Sequence, residues 1–324
     1  MLLSPLAITF RPGWKAMEES KTNHCAGLRV NKLLAQSFAA RERGFRKAFK
    51  RCRRHCSERT VHELRVSSRR LIATLEVLGS IVSIGEIEEA RRALKKLLRL
   101  FGPLRDAHIR LLYFEELLPQ FPALEKPFRA AAQQEQDFME KVGRVLRRTK
   151  LGSLAKQLAR VRFTLNKKLR NAASADQLRT LRAVVDEAFG LVQHRRGRVD
   201  AADVSTIHRV RVAFKKFRYM AEALQRLLPR MSERRLEAMR NFQARLGDIQ
   251  DLEVIAGYLR DYAMERKPKF RKVLAPALHE LQMKHDELIR TFVQNQSQLD
   301  RFRPSPKRHS RAWRTPRIVF KSNA

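Results

Sequence analysis

Apolar residues recur at helical spacing along almost the whole chain. From Leu28 to Val293 they return every three or four residues, and the strict alternation that indicates β-strands does not occur. Glycine and proline number only 12 each and fall between the periodic segments, as expected of residues that end helices. The pattern therefore predicts an all-α protein. Helices are predicted near 28–52, 61–79, 86–101, 105–118, 124–148, 153–170, 176–195, 206–228, 233–246, 250–264 and 270–297.

The connections between these helices are short, which predicts antiparallel packing in bundles. Thr60 followed by Glu63 matches a capping box and predicts that one helix begins beside Thr60. For the equivalent helix of the second half, Ser205 or Thr206 can serve as the cap. Residues 1–24 and 301–324 are predicted to be disordered. The C-terminal segment carries eight Lys or Arg, three prolines and no acid.

One block of residues occurs twice in the same order. The heptapeptide TVHELRV begins at Thr60 and TIHRVRV begins at Thr206, and after two further residues each is followed by a basic pair. A second block, FGPLRD from Phe101 and LGDIQD from Leu246, follows each copy at nearly the same distance. The repeat covers nearly half the chain, which is longer than a solenoid repeat. We therefore predict a duplicated helical unit with halves at about 25–150 and 151–300.

The repeated block places basic residues on one helical face, because residues three and seven positions apart lie on the same side of a helix. Neighbouring cations on a helix repel each other by a few tenths of a kcal/mol, and no acid lies among them to relieve this. Arginine, lysine and histidine all donate hydrogen bonds to phosphate oxygens. Both histidines are predicted in the first helical turn, where free N–H groups also favour an anion. The two basic stripes consist of His62, Arg65, Arg69 and Arg70 in the first copy and of His208, Arg211, Lys215, Lys216 and Arg218 in the second.

Asp106 and Asp251 belong to the second repeated block and have two possible roles. Each carboxylate can pair with a stripe arginine and hold it in place, or it can favour the first turn of the following helix. Gly102 and Gly247, in the same block, are interpreted as helix ends or points of close packing.

The composition indicates a folded protein with a polyanionic partner. The net charge is +36 over 324 residues, and 44% of the residues are hydrophobic, enough for a packed core. Nucleic acid, anionic lipid and phosphate polymers are the candidate partners. Only three cysteines occur, without zinc-site spacing, so neither a disulfide framework nor a metal site is predicted. The sequence contains no membrane-spanning stretch or secretory signal, and a cytoplasmic location is predicted.

The repeated blocks resemble the CHAD family, the conserved-histidine α-helical domain. Val61–Leu71 follows the family pattern V-H-x-L-R-V-x-x-R-R-L, with Ile72 where arginine is usual. Ile207–Tyr219 is similar to the version of this pattern in the second half of the family. Leu94–Asp106 and Met239–Asp251 are similar to its later segment, L-K-x-L-Q-x-x-L-G-x-L-R-D. The resemblance covers residues 25–300.

The resemblance implies two pseudo-symmetric helical bundles that face each other across a basic cavity. It implies binding of inorganic polyphosphate, association with polyphosphate granules, and no cofactor. The residues of both stripes are then expected to line the cavity, and the later segments add Lys95, Arg105 and Arg240.

Two other functions compete with polyphosphate binding. A charge of +36 is typical of nucleic-acid-binding proteins and predicts non-specific DNA binding at low salt. With four tyrosines and two tryptophans, however, the chain offers few stacking platforms for single strands. A polyphosphate-processing enzyme with a phosphohistidine or a bound metal is the third possibility, but acids do not cluster in the repeated motifs. We therefore expect a non-catalytic binding protein, of an oligomeric state that the sequence does not reveal.

Overall fold

A computed structural model describes residues 13–149, 152–168, 175–228 and 230–304, with side chains from Val30 onwards. All regular secondary structure in these residues is helical, which confirms the all-α prediction. Three short 3-10 segments, Pro122–Leu124, Gln225–Leu227 and Gln296–Phe302, supplement the α-helices. The α-helices are Gly13–Arg54 (α1), Glu58–Gly79 (α2), Gly85–Leu100 (α3), Gly102–Leu117 (α4), Glu125–Arg148 (α5), Gly152–Lys168 (α6), Ala175–Arg196 (α7), Val204–Ala223 (α8), Glu233–Met264 (α9) and Pro268–Asn295 (α10).

Apolar faces on these helices meet in two clusters of buried residues. The larger cluster joins α1, α2, α3, α6, α7 and α8 with the first half of α9 and the ends of α5 and α10. The smaller joins α4, the start of α5, the second half of α9 and the start of α10. The clusters do not follow the predicted halves, because α6 lies beyond residue 150 yet packs against α1 and α3.

Two predicted helices, 233–246 and 250–264, are a single helix in the structure. α9 runs without interruption from Glu233 to Met264, and Gly247 lies inside it. A glycine inside a helix costs about 1 kcal/mol relative to alanine. Leu246, Ile249 and Leu252 are all buried on either side of it, and burial of one such side chain contributes about 1.5–3 kcal/mol. Packing therefore outweighs the weak helix propensity at this point.

The helix that carries the first stripe begins three residues earlier than predicted. Ser57 is the N-cap of α2, and Thr60 is the third helical residue, which completes a capping box with it. The helix that carries the second stripe is capped by Asp203 rather than by Ser205 or Thr206. The two histidines consequently lie at the start of the second helical turn. The prediction that they lie in the first turn, beside the free N–H groups, is wrong.

Parts of both segments that were predicted to be disordered are helical in the structure. Residues 13–24 are helical as part of α1, and Gln296–Phe302 forms a 3-10 segment in which Leu299 and Phe302 are buried. Residues 1–12 and 305–324, where the remainder of these two predictions falls, lie outside the described residues. Among the helices of the described ranges, none is long and apolar enough to cross a bilayer.

The end of the folded part is held to the larger cluster by Phe302. Its ring lies 5.5 Å from that of Phe214 and 5.7 Å from that of Phe242, measured between centroids. The Arg235 guanidinium also donates a hydrogen bond of 3.1 Å to the Arg303 carbonyl. The packed part of the chain therefore includes at least residues 301–303.

We expect the position of a C-terminal truncation to decide its effect on stability. Removal of 305–324 should leave the free energy of unfolding nearly unchanged. Removal of 301–324 should lower it by about 3–5 kcal/mol, since a buried phenylalanine and its ring contacts are lost. Urea unfolding followed by circular dichroism measures both, and Phe302→Ala in the full chain should reproduce most of the larger loss. Equal stability of the two truncated proteins would contradict this assignment.

Candidate functional site

Two pairs of helices enclose one cavity. α2 packs against α8, α4 packs against α9, and the space between them has a volume of about 730 Å³. Residues one or two turns apart on each helix face it, because side chains at helical spacing share a face. Of the residues predicted as a site, those that line the cavity are His62, Arg65, Arg69, Arg70, Arg105, His208, Arg211, Lys215, Arg218 and Arg240.

The two other predicted site residues do not line this cavity. Lys95 is exposed on α3. Lys216 points towards α2, where its Nζ lies 2.5 Å from Glu76 Oε1. Arg70 and Lys216 are the second residues of the two repeated basic pairs, but only Arg70 of these two lines the cavity. Ile72, which occupies a position where the family usually has arginine, is partly buried against the larger apolar cluster.

Reciprocal ion pairs join the two stripe helices. Arg70 on α2 lies 3.0 Å from Glu222 on α8, and Lys216 on α8 lies 2.5 Å from Glu76 on α2. Each cation is the second of its repeated basic pair, and each glutamate lies at the same distance along the chain from the histidine of its own copy. A two-fold relation between α2 and α8 produces such a pattern, although the duplication itself stays a prediction.

The centre of the cavity holds cations without carboxylate partners. Among the described residues, no carboxylate oxygen lies within 4.0 Å of the basic groups of Arg69, Arg211 or Lys215. The Nε–H of Arg211 is buried and has no hydrogen-bond acceptor within the protein. Partial desolvation of an unpaired ion costs on the order of several kcal/mol. These three side chains therefore form a site at which an anion would be strongly stabilised.

Burial and mutual repulsion lower the pKa values of these basic groups. The pKa of Lys215 falls to about 6, first because the ammonium is buried and then because Arg69, Arg211 and Arg65 lie near it. Burial also lowers the pKa values of Arg69 and Arg211. The pKa of Arg65 falls to about 10 from burial and the charge of Arg69. At neutral pH the arginines therefore stay charged, whereas Lys215 is largely neutral.

The second repeated block positions stripe arginines in two different ways. Arg65 donates a 2.6 Å hydrogen bond to the carbonyl of Phe101, the N-cap of α4, which also accepts the Arg105 backbone N–H. The equivalent place in the second copy lies inside the continuous α9. Here Gly247 faces the cavity, and a Cβ atom at this position would lie 4.0 Å from an Arg211 terminal nitrogen. The interpretation as a helix end fits Gly102 but not Gly247.

The aspartates of the same block fit neither of their two predicted roles. Asp251 lies in the middle of α9, so it has no helix-start role, and its carboxylate lies 3.5 Å from Arg105. Its partner is thus on α4 rather than on a stripe helix. Asp106 lies in the second turn of α4. Burial raises its pKa, and the charge of Arg65 opposes this rise.

The histidines lie at the exposed end of the stripes. His208 Nδ1 is hydrogen-bonded to the Gln250 side chain on α9. Burial and the charges of Arg105 and Arg65 lower the pKa of His62. A neutral His62 can donate one hydrogen bond to an anion, and it can take up a proton where the anion is close enough to favour the charged form.

Several residues that line the cavity are not among the site residues predicted from the sequence. Gln243 on α9 accepts a 2.7 Å hydrogen bond from Arg218 Nε, and the Arg218 guanidinium lies 4.2 Å from the centre of the Tyr219 ring. Gln243, Gly247 and Gln250 follow one another at helical spacing along one side of α9. This spacing was visible in the sequence, but the assumed break near residue 247 concealed the common face.

Cys52 and Cys56 do not line the cavity. Cys52 is buried and Cys56 is partly buried, and neither forms a disulfide. The Cys25 side chain lies outside the described residues. Within the described part of the chain, no group of three His, Cys, Asp or Glu residues has the arrangement of a metal site.

Comparison with known proteins places this architecture in a family. The family model described as the CHAD domain matches residues 36–260. The fold is similar to the crystal structure of the CHAD domain from the plant Ricinus communis, with a TM-score of 0.60 and 19% sequence identity over 85% of this chain and 90% of that chain. No curated protein matches the chain. Since the family model covers well over half of its residues, the chain belongs to the CHAD domain family.

Proposed function

We propose that this chain binds inorganic polyphosphate in the cavity between α2, α8, α4 and α9. A polyphosphate-related role is the general property of the CHAD family. The observation that carries the proposal is the trio of Arg69, Arg211 and Lys215, which face one cavity without a carboxylate partner among the described residues. A polyphosphate chain supplies one negative charge per phosphate unit and can serve all three at once.

The shape of the site favours a thin anion over a duplex. From His208 to Arg218 the stripe on α8 extends about 15 Å, at 1.5 Å per residue, so several phosphate units can lie along it. A cavity of about 730 Å³ enclosed by four helices admits an extended phosphate chain, whereas double-stranded DNA can contact only the outer surface. Nucleic acid is thus expected to bind through the general charge of +36 and to be lost as salt rises.

The proposed role is binding rather than catalysis. Seven arginines and three aspartates line the cavity, and the arginines can donate hydrogen bonds to a bound anion, as in a phosphate-binding site. We propose that the protein associates through them with polyphosphate granules in the cytoplasm. Incubation with labelled long-chain polyphosphate and Mg²⁺, followed by gel analysis, should show no shortening of the polyphosphate and no transfer of label to the protein. Shortened chains would replace this proposal with the enzymatic alternative.

Loss of the unpaired arginines should weaken polyphosphate binding specifically. We expect Arg69→Gln together with Arg211→Gln to reduce the affinity at least a hundredfold at about 150 mM salt, since each charge-assisted hydrogen bond contributes about 1.5–3 kcal/mol. The measurement is isothermal titration calorimetry with long-chain polyphosphate, with duplex DNA and ATP as competitors.

A matched control removes the same charge elsewhere. Lys95 and Lys96 are exposed on α3, outside the cavity, and Lys95→Gln with Lys96→Gln should change the affinity less than threefold, as exposed charges are screened at this salt concentration. If both double variants lose affinity equally, or if DNA displaces polyphosphate as readily as the reverse, polyphosphate binding is a non-specific effect of net charge.

Binding should be coupled to proton uptake by Lys215. In the free protein its pKa is about 6, and a bound polyanion raises the pKa because it stabilises the ammonium form. The complex then holds more protons than the free protein above pH 6, so the affinity should decrease as pH rises from 6 to 8 and level off below 6. Titrations at pH 7.5 in buffers of different ionisation enthalpy should show net proton uptake. Lys215→Met should abolish most of it, and unchanged uptake in this variant would contradict the assignment.

A further inference from the structure

A second cavity lies directly behind one wall of the first. It has a volume of about 530 Å³ and is bounded by α1, the end of α8 and the following 3-10 turn. Glu222 lines this second cavity, whereas its partners Arg70 and Arg218 line the first. The wall between the two cavities therefore consists of one carboxylate and the guanidinium groups bound to it.

Three arginines share the Glu222 carboxylate. Arg41 on α1 and Arg70 on α2 lie 3.1 Å and 3.0 Å from Oε1, and Arg218 lies 3.4 Å from Oε2. The Glu222 side chain is only 9% exposed. One negative charge thus faces three positive charges, and the group keeps a net attraction for a further anion.

The three arginines are not held equally firmly. Arg218 also bonds to Gln243 and stacks on Tyr219, and Arg41 donates a well-aligned hydrogen bond to Glu222. The Nε–H of Arg70 is buried without a hydrogen-bond acceptor, although the carboxylate oxygen is only 3.0 Å away. The Arg70 contact is therefore an ion pair of poor alignment, and a phosphate oxygen in the first cavity can offer the better partner.

The second cavity has cations of its own at its rim. Arg43 and Arg226 are exposed there, and among the described residues neither has a carboxylate oxygen within 4.0 Å. Together with Arg41, which belongs to the wall, they line the second cavity with three guanidinium groups. A phosphate chain that passed Glu222 would consequently meet further partners.

We propose that Arg70 and Glu222 form a gate between the two cavities, through which a long polyphosphate chain extends from the first into the second. The polyphosphate replaces Glu222 as the partner of Arg70 and continues past the carboxylate towards Arg41, Arg43 and Arg226. Short chains occupy the first cavity alone. This inference rests on the proposed function, and it makes chain length the property that the second cavity recognises.

The test compares tripolyphosphate with long-chain polyphosphate on Glu222→Gln. This variant removes the competing negative charge and keeps one oxygen acceptor, which can serve either Arg41 or Arg218, since these two arginines bind different carboxylate oxygens. We expect its affinity for the long chain to rise about tenfold, the equivalent of one additional charge-assisted hydrogen bond, with a clearly smaller gain for tripolyphosphate. The log–log salt dependence of long-chain binding should steepen by about 0.7 per extra phosphate contacted.

Glu76→Gln is the matched control. Glu76 is the counterpart of Glu222 in the first copy, its side chain is 11% exposed, and it pairs with Lys216 and Arg91. Neither Glu76 nor Lys216 lines the first cavity. Glu76→Gln removes the same charge and should raise the affinities for both ligands slightly and equally. Equal gains from the two glutamate variants would show a general charge effect and overturn the gate.

A second pair of substitutions tests the far side of the gate and does not touch buried groups. Arg43→Gln with Arg226→Gln should weaken long-chain binding about tenfold, with an effect on tripolyphosphate no larger than that of Lys95→Gln with Lys96→Gln. A uniform loss for both ligands would overturn the gate while the proposed function stands. If the wild-type protein itself shows no preference for polyphosphate over DNA, the proposed function fails first.

Discussion

Like-charge repulsion inside a rigid helical frame is the constraint on which this structure depends. Burial is the first cause that lowers the pKa values of Arg69 and Lys215, and the charge of Arg211 lowers both further. Repulsion of this kind would normally separate the helices that carry these groups. The opposite faces of the same helices prevent this separation, because Leu64, Leu71, Val210 and other side chains of the larger apolar cluster are completely buried there. The cations cannot move apart unless the core opens, so the repulsion persists until an anion relieves it.

The ion pairs at the edges of the site complement this arrangement. Glu222 pairs with Arg70 and Glu76 pairs with Lys216, the second basic residue of each repeated pair. The first basic residue of each pair, Arg69 or Lys215, has no carboxylate oxygen within 4.0 Å among the described residues. The carboxylates thus confine unpaired charge to the centre of the cavity. The protein has a net charge of +36, and Arg69 and Arg211 in the centre are partly desolvated without a carboxylate oxygen within 4.0 Å among the described residues. Attraction at long range and selectivity at short range therefore come from different residues.

The sequence predicted the helices well because helical periodicity is a local property. It failed where tertiary contacts overrode a local signal. Gly247 suggested a helix end, yet buried neighbours on both sides carry α9 through it. The basic, proline-containing C-terminal segment suggested disorder from residue 301, yet Phe302 fits among the rings of Phe214 and Phe242. In each case the burial of side chains in the core reversed the prediction made from the local sequence.

The same distinction explains which cavity residues could be predicted. Spacing along a single helix identified Arg65, Arg69, Arg211 and Lys215, because the side that faces the cavity is set by the helix itself. It could not separate Arg70 from Lys216, which occupy equivalent positions in the two copies. Their environments differ through residues that lie outside the two repeated blocks: α1 contributes Arg41 to the Glu222 group, and α3 contributes Arg91 to the Glu76 group. A cavity opens behind Glu222. Two blocks of similar sequence therefore acquire different surroundings, and the asymmetry comes from the side chains packed around the blocks rather than from the blocks themselves.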